Sequence, residues 1–112
     1  MDCGATDMFL NNAKVLGLNL SDVDSVFLSH GHYDHSGGVI PFAQHNPNAK
    51  IFLQETVGAD YYHLTETMER YIGIDKKILE LSQCVLLNGD KIIDDELIVF
   101  SNVSGKKCWK TC

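Results

Sequence analysis

The chain has 112 residues, a formal net charge of −6 and a hydrophobic fraction of 45%. That length suits one compact domain, and a charged fraction of 21% is close to the globular average, which argues against disorder. The acidic balance excludes the basic surface that nucleic-acid-binding proteins carry, and no basic stretch suggests a membrane surface. No apolar run approaches the ~20 residues of a membrane-spanning helix. We therefore expect neither nucleic acid nor a membrane as a partner.

The cysteines and the N-terminal sequence indicate where the protein resides. The N-terminal residues lack the charged and apolar regions of a secretory signal, so we expect a cytoplasmic protein. The four cysteines are scattered and show no paired spacing of a zinc ribbon. Cys108 and Cys112, near the C-terminus, are predicted to be two free thiols.

A helix and then a strand are predicted before the histidine-rich part of the chain. Thr6 or Asp7 can cap a helix that Gly17 ends. The apolar residues on one face of this helix are Phe9, Leu10, Ala13 and Leu16. Ser21 can cap a single helical turn. The segment SVFLS at residues 25–29 is short, apolar and rich in strand formers, so it predicts a buried strand.

A second helix and a second strand follow the histidines. The segment GGVIPFAQHN, residues 37–46, predicts a helix with Pro41 in or near its first turn, where the missing N–H does little harm. The segment KIFLQ at residues 50–54 predicts another short, apolar strand. Further on, Asp75 is a good cap for a short helix in DKKILELS.

Residues 55–75 and the tail are less regular. Residues 55–75 could form a partly irregular segment. They could also form a helix with three residues on one face: Leu64, Met68 and Tyr71. In the tail, Asn88-Gly89 is a strong hairpin signal, and Asp94-Asp95 suggests another turn. Strands that alternate with helices and end in hairpins predict an α/β fold.

The segment SHGHYDHSGG, residues 29–38, holds three of the chain's five histidines and an aspartate. A single histidine is usually a surface residue. Neighbouring imidazoles, however, repel one another once protonated, and a cation bound between them removes that penalty. A helix with His30 and Asp34 on one face conflicts with Gly31 and with the preceding strand. The segment therefore predicts a metal-binding loop.

The spacing within this loop suits two ions. His30 and His32 are two residues apart, so on an extended segment both side chains project to the same side, and Gly31 lets the backbone turn between them. Two neutral imidazoles form half of a tetrahedral zinc site. Asp34 and His35 are offset from that pair and suit a second ion, for which zinc, iron and manganese are all acceptable.

This segment resembles a known signature. His30-Gly-His32-Tyr-Asp34-His35 matches the H-x-H-x-D-H motif of the metallo-β-lactamase-fold hydrolases, and Asp2-Cys-Gly4 resembles their earlier D-x-G motif. The wider pattern is most similar to a branch that contains the dihydropterin-handling synthases of methanopterin biosynthesis. The resemblance implies a partial αβ/βα sandwich, roughly its first αβ half, with a mixed sheet and flanking helices.

The resemblance also implies roles for these residues. His30 and His32 would bind one divalent ion, Asp34 and His35 a second, and Asp2 would support the site from behind. Zinc is the expected metal, with iron or manganese as alternatives, and Asp34 is the expected catalytic residue. Ions bridged by hydroxide would lower the pKa of bound water to near 7 and polarise an ester, thioester or phosphoester. The substrate is expected to be a small molecule, and the fold alone does not identify it.

The family site needs more ligands than this motif offers: a third histidine for the first ion, a bridging aspartate and another histidine for the second. His45 and His63 lie outside the family's downstream context, so they are predicted to be surface histidines. The remaining aspartates in turns are predicted to be solvated: Asp90, Asp94 and Asp95. We therefore expect residues 1–112 to form a single truncated domain with partial or no metal occupancy and little activity alone.

A second interpretation from another class stays open. The chain could be a non-catalytic module that binds one metal ion or none and acts by association. A half-sandwich leaves one apolar sheet face without its partner, and such faces seldom stay exposed in a monomer. We therefore expect a homo-oligomer, or association with the missing half, through that face or through unpaired strand edges.

Overall fold

The computed structural model describes residues 2–100, so Cys108 and Cys112 lie outside the described residues. The α-helices are α1 (Met8–Val15), α2 (Tyr33–Ser36) and α3 (Val39–His45). Short 3₁₀ helices cover Leu20–Asp22, Glu55–Gly58 and Lys76–Glu80. The strands are β1 (Ser25–Phe27), β2 (Lys50–Gln54), β3 (Tyr62–Leu64), β4 (Glu69–Tyr71), β5 (Cys84–Leu87), β6 (Lys91–Ile92) and β7 (Ile98–Val99). This alternation confirms the predicted α/β class.

The central sheet has the order β1–β2–β5, and both of its pairings are parallel. Val26 lies opposite Ile51, and Phe52 lies opposite Val85. Antiparallel pairing also occurs, but in two separate hairpins, β3–β4 and β6–β7. Within residues 2–100 the central sheet is therefore parallel rather than the predicted mixed sheet, because the antiparallel strands pair only with each other in the two hairpins.

One face of the sheet forms the hydrophobic core with α3 and the Lys76–Glu80 helix. The buried residues of this core are Val26, Leu28, Val39, Phe42, Ala43, Ala49, Ile51, Leu53, Val57, Ile74 and Ile78. On the opposite face, the rings of Phe27 and Phe52 stack with centroids 5.1 Å apart. Because strand residues alternate between faces, the three apolar residues at the centre of β2, Ile51 to Leu53, pack on both faces of the sheet.

Asn46 connects three segments around the end of α3. Its side-chain amide donates to the carbonyls of Leu20 and Val23, both at 2.9 Å. Its side-chain oxygen accepts from the backbone N–H groups of Asn48 and Ala49, at 3.2 and 3.1 Å. This side chain is 3% exposed, so its bonds replace water in a buried position.

Several local predictions are confirmed. Gly17 has a φ of +74° directly after α1, as a helix-ending glycine does. Pro41 lies in the first turn of α3, and β2 has the predicted bounds. The Asp75 side chain accepts from the Lys77 N–H and caps the Lys76–Glu80 helix. Asp94 closes the predicted turn by accepting from two backbone N–H groups.

Two predictions are wrong, and of the two alternatives for residues 55–75 the helix does not form. Asn19, not Ser21, caps the single turn, since its side chain accepts from the Ser21 N–H. The helix considered for residues 55–75 is replaced by the β3–β4 hairpin, because the turn between its strands closes through Thr65, which bonds both the N–H and the carbonyl of Met68. Asn88-Gly89 joins no hairpin, since β5 pairs with β2 and Gly89 is instead held by the Gln54 side chain.

None of the helices within residues 2–100 is long and apolar enough to cross a lipid bilayer.

The buried Asn46 amide gives a stability prediction. Asn46→Ala removes four hydrogen bonds and takes the amide donor away from the Leu20 and Val23 carbonyls, so the free energy of unfolding should fall by about 1–3 kcal/mol. Denaturant unfolding followed by circular dichroism measures this loss. Asn48→Ala is the matched control, because this exposed residue contributes its backbone rather than its side chain to that network, and it should change stability by less than about 0.5 kcal/mol. Equal losses of unfolding free energy in the two variants would contradict the stabilising role of the Asn46 side chain.

Candidate metal centre

The histidine-rich loop begins where β1 ends, at the carboxyl edge of the parallel sheet. The Leu28 N–H donates to the Phe52 carbonyl at 3.1 Å, which prolongs the β1–β2 pairing up to the loop. His32 is extended, with φ −105° and ψ 147°, and α2 starts at the next residue. Ligands of open α/β sheets bind at this edge, because the loops that leave the strands meet there.

The N-terminal segment lies against the loop and α2. The Cys3 N–H donates to the His35 carbonyl at 2.9 Å, and Gly4 forms a bridge with Ser36. A Cβ on Gly37 would stand 1.9 Å from the Ala5 carbonyl oxygen, so a larger residue does not fit there. The glycines that follow the histidines in the sequence are therefore needed for the close approach of this segment.

The Asp2 carboxylate holds the loop from behind. Its Oδ1 accepts from the Ser29 N–H at 2.7 Å, and its Oδ2 accepts from the Ser29 hydroxyl at 2.5 Å and from His35 Nδ1 at 3.0 Å. Burial alone would raise the pKa of this carboxyl, but the hydrogen bonds from Ser29 and the neighbouring His35 hold the pKa below its usual range. Asp2 is therefore an ionised acceptor behind the loop.

The directions of these hydrogen bonds assign the protons of two histidines. The single hydrogen of the Ser29 hydroxyl points to Asp2, because an ionised carboxylate only accepts. Ser29 Oγ lies 2.8 Å from His30 Nδ1 and therefore accepts from an N–H at that nitrogen. His35 likewise donates its Nδ1–H to Asp2. In the neutral form of each ring the lone pair then lies on Nε2, and this is the form that binds a metal ion.

The predicted ligand side chains come together. Ligand atoms of His30, His32 and Asp34 all lie within 4.8 Å of one another, and His35 Nε2 lies 3.6 Å from Asp34 Oδ2. The His30 ring centroid is 4.8 Å from that of His32 and 4.1 Å from that of His35. Nitrogen and carboxylate donors at this spacing fit a divalent cation such as zinc. Asp2, His30 and His35 form a second such group, but its contacts are accounted for by the hydrogen bonds described above.

Tyr61 and Gly31 fix the outer side of the loop. The Tyr61 ring meets the His32 ring edge to face, with centroids 5.4 Å apart, and its hydroxyl donates to the Thr56 carbonyl. A Cβ on Gly31 would lie 2.4 Å from the Val57 carbonyl oxygen and 2.7 Å from the Tyr61 ring. Gly31 is therefore required for close packing as well as for the backbone turn that its place between two histidines suggested.

The two remaining histidines take different positions. His45 is exposed at the end of α3. It lines a cavity together with Leu10 and Leu20, and no residue of the ligand loop lines that cavity. His63 is exposed on β3, and it shares a cavity of about 270 Å³ with His32 and Asp34. Both are surface residues, as predicted, but His63 lies beside the candidate metal centre.

Sequence reasoning missed residues that act on the loop from other segments. Ser29 begins the segment SHGHYDHSGG, yet nothing in the order of residues shows that it links Asp2 to His30. Tyr61 and Arg70 lie in the region left ambiguous. A hairpin assignment for residues 62–71 could have directed attention to them.

A family model of the metallo-beta-lactamase superfamily matches residues 1–102 of the chain. A comparison with curated proteins found no match. The matched range contains Asp2 and the whole ligand loop, so the family assignment and the geometry concern the same residues.

The clamp on the loop gives a prediction for Asp2→Asn. The amide nitrogen cannot accept from the Ser29 hydroxyl or from His35, so the orientation of both imidazoles should be lost. We expect zinc affinity to fall about 10–100-fold and metal-free stability to fall by about 1–3 kcal/mol. Competition with a chromophoric chelator measures the first quantity, and denaturant unfolding measures the second.

Asp7→Asn is the matched control for that variant. Asp7 is exposed at the start of α1 and makes no side-chain capping bond, so both quantities should stay near those of the unchanged protein. The role of Asp2 would be disproved if both asparagine variants behaved alike.

Proposed function

Because the chain belongs to the metallo-β-lactamase superfamily, we propose that it carries the principal ligand loop of a dinuclear, metal-dependent hydrolase. The observation that carries the proposal is the convergence of His30, His32 and Asp34 within 4.8 Å. The proton held on Nδ1 of His30 supports it, because the opposite nitrogen is then ready to bind.

In the proposed site, His30 and His32 hold the first ion, and Asp34 and His35 hold the second. Zinc suits this donor set best, and iron or manganese is also acceptable. Divalent ions there would supply activated water and polarise the scissile ester, thioester or phosphoester group. Among the chain's own groups, Asp2 maintains the imidazoles in their binding tautomer and Tyr61 shields one side of His32.

The described residues do not supply every ligand of the family site, which needs two more histidines and a bridging aspartate. We propose that these come from polypeptide outside residues 2–100 or from another chain. Metal binding by the loop is then weakened, and hydrolysis by these 112 residues alone is slight or absent.

We also propose residence in the cytoplasm. Cys3 and Cys84 are free thiols, and burial raises the pKa of each, which lowers its reactivity. Unpaired, unreactive thiols suit a reducing compartment.

Zinc titration tests the proposed metal site. His32→Ala removes one of the converging ligands, so zinc affinity should fall about tenfold or more. His45→Ala removes an exposed histidine that lines a different cavity and should leave the affinity unchanged. Competition with a chelator, together with metal analysis of the dialysed protein, gives affinity and stoichiometry. Equal zinc binding by both alanine variants would rule the loop out as the site.

The same proteins test the proposed lack of independent activity. With zinc, iron or manganese added, turnover of a generic phosphodiester or thioester should not exceed that of His32→Ala. Robust turnover that His32→Ala abolishes would show that the chain completes a working site by itself or by self-association.

A second candidate function is a non-catalytic module that associates with a second copy of the chain. It is favoured by exposed apolar residues on the β6–β7 hairpin and just beyond it: Ile92 at 70%, Ile98 at 54% and Phe100 at 66% exposure. β1 and β5 are also the edge strands of the described sheet.

Sedimentation velocity at micromolar concentration tests this association. We expect a dimer or larger species, because exposed apolar residues and unpaired strand edges favour pairing. Ile98→Lys on the exposed hairpin should shift the population towards monomer, whereas Lys14→Gln on α1 should not. A stable monomer for the unchanged chain would contradict the prediction.

A further inference from the structure

We propose that Arg70, on the β3–β4 hairpin, is an anchor for an anionic group, a carboxylate or a phosphate, beside the ligand loop. Its use for the anionic group of a substrate rests on the proposed function, but the anion site itself does not. The argument uses the attachment of the hairpin, the cavity next to it and the distribution of positive charge.

The base of the hairpin is fixed to the ligand loop from both of its ends. The Tyr33 N–H donates to the Ile72 carbonyl at 2.9 Å, directly after His32. The Ile72 N–H in turn donates to the Tyr61 carbonyl at 2.8 Å, and the Tyr61 ring contacts His32. The hairpin is therefore held at a set distance from the loop, and side chains on it can act on a group bound there.

The cavity between hairpin and loop has convergent polar groups. It has a volume of about 270 Å³ and is lined by His32, Tyr33, Asp34, His63, Arg70 and Ile72. His63 and Arg70 are direct partners across the two antiparallel strands, so both side chains lie on the same face of the hairpin. The volume approaches that of small-molecule sites and suits one small anionic group with part of its carrier.

Arg70 is positioned without being neutralised. Its guanidinium carbon lies 5.5 Å from the centroid of the Tyr33 ring, an attraction that orients the side chain along the cavity wall. No carboxylate within residues 2–100 forms an ion pair with it. Lys76, by contrast, is paired with Asp60 at 2.9 Å. The planar donors of Arg70 thus stay available for an external carboxylate or phosphate.

The positive charge of Arg70 matters because the chain as a whole is acidic. Arg70 is the only arginine in the sequence, and the net charge is −6. An anion that approaches such a chain meets a repulsive field unless positive charge is concentrated locally. Arg70 supplies that charge at the cavity that Asp34 and His32 share with the candidate metal centre.

Titration with small anions tests the anchor. The probes are phenyl phosphate and benzoate, with benzyl alcohol as the uncharged comparison, added to metal-stripped and to zinc-loaded protein and followed by the amide and arginine side-chain resonances in NMR. Arg70→Gln should weaken binding of at least one anion by about tenfold or more, since a charge-assisted pair is lost, and should leave benzyl alcohol unaffected. Arg70→Lys should restore part of the affinity, and Lys14→Gln should change nothing. The two probes distinguish phosphate from carboxylate as the preferred group.

The outcomes separate this inference from the proposed function. If neither anion is bound more weakly by Arg70→Gln than by the unchanged protein, the anchor is disproved, whatever the zinc content. If zinc fails to bind the loop but Arg70→Gln still weakens anion binding to metal-stripped protein, the anion site stands and the proposed hydrolase function fails. Because Arg70 is exposed on its hairpin, the variant is expected to fold, which its amide spectrum checks.

Discussion

The carboxylate of Asp2 is the interaction on which the candidate site depends. It receives hydrogen bonds from Ser29 and His35, which lie 27 and 33 residues further along the chain. Through them the N-terminal segment, the end of β1 and α2 are joined at one point. The same bonds place a proton on Nδ1 of His30 and of His35, so that in the neutral rings Nε2 is the atom that can bind an ion. One partly exposed carboxylate thus holds the path of the loop and orients two of its imidazoles.

Neighbouring segments pack so closely against the loop that glycine is required at two of its positions. Gly31 admits the Val57 carbonyl and the Tyr61 ring on one side, and Gly37 admits the N-terminal segment on the other. A side chain at either position would separate the loop from a neighbouring segment before it touched any ligand. The glycines in SHGHYDHSGG therefore serve packing on both sides, while the parallel sheet beneath supplies a rigid base at the end of β1.

The sequence predicted what short-range rules determine. The bounds of β2, the place of Pro41 and the Asp75 cap follow from residues within a few positions of one another. The ligand loop was found for the same reason, since its residues are adjacent. What was missed depends on distant partners: β5 pairs with β2 rather than turning back at Gly89, and residues 62–71 form a hairpin against the loop. Neither a turn signal nor an apolar face can specify which strand lies alongside.

Contacts within the protein hold the loop in place. Three imidazoles with neighbouring centroids 4.1 and 4.8 Å apart would repel one another if protonated. The hydrogen bonds behind the loop fix the orientation of two of these rings, those of His30 and His35. The affinity of the loop for an ion should depend mainly on how many ligands complete the coordination of that ion. Ligands from outside the loop would then set the upper limit on metal affinity. The hairpin beside it, fixed to the same backbone, is then in place to select what an assembled centre acts on.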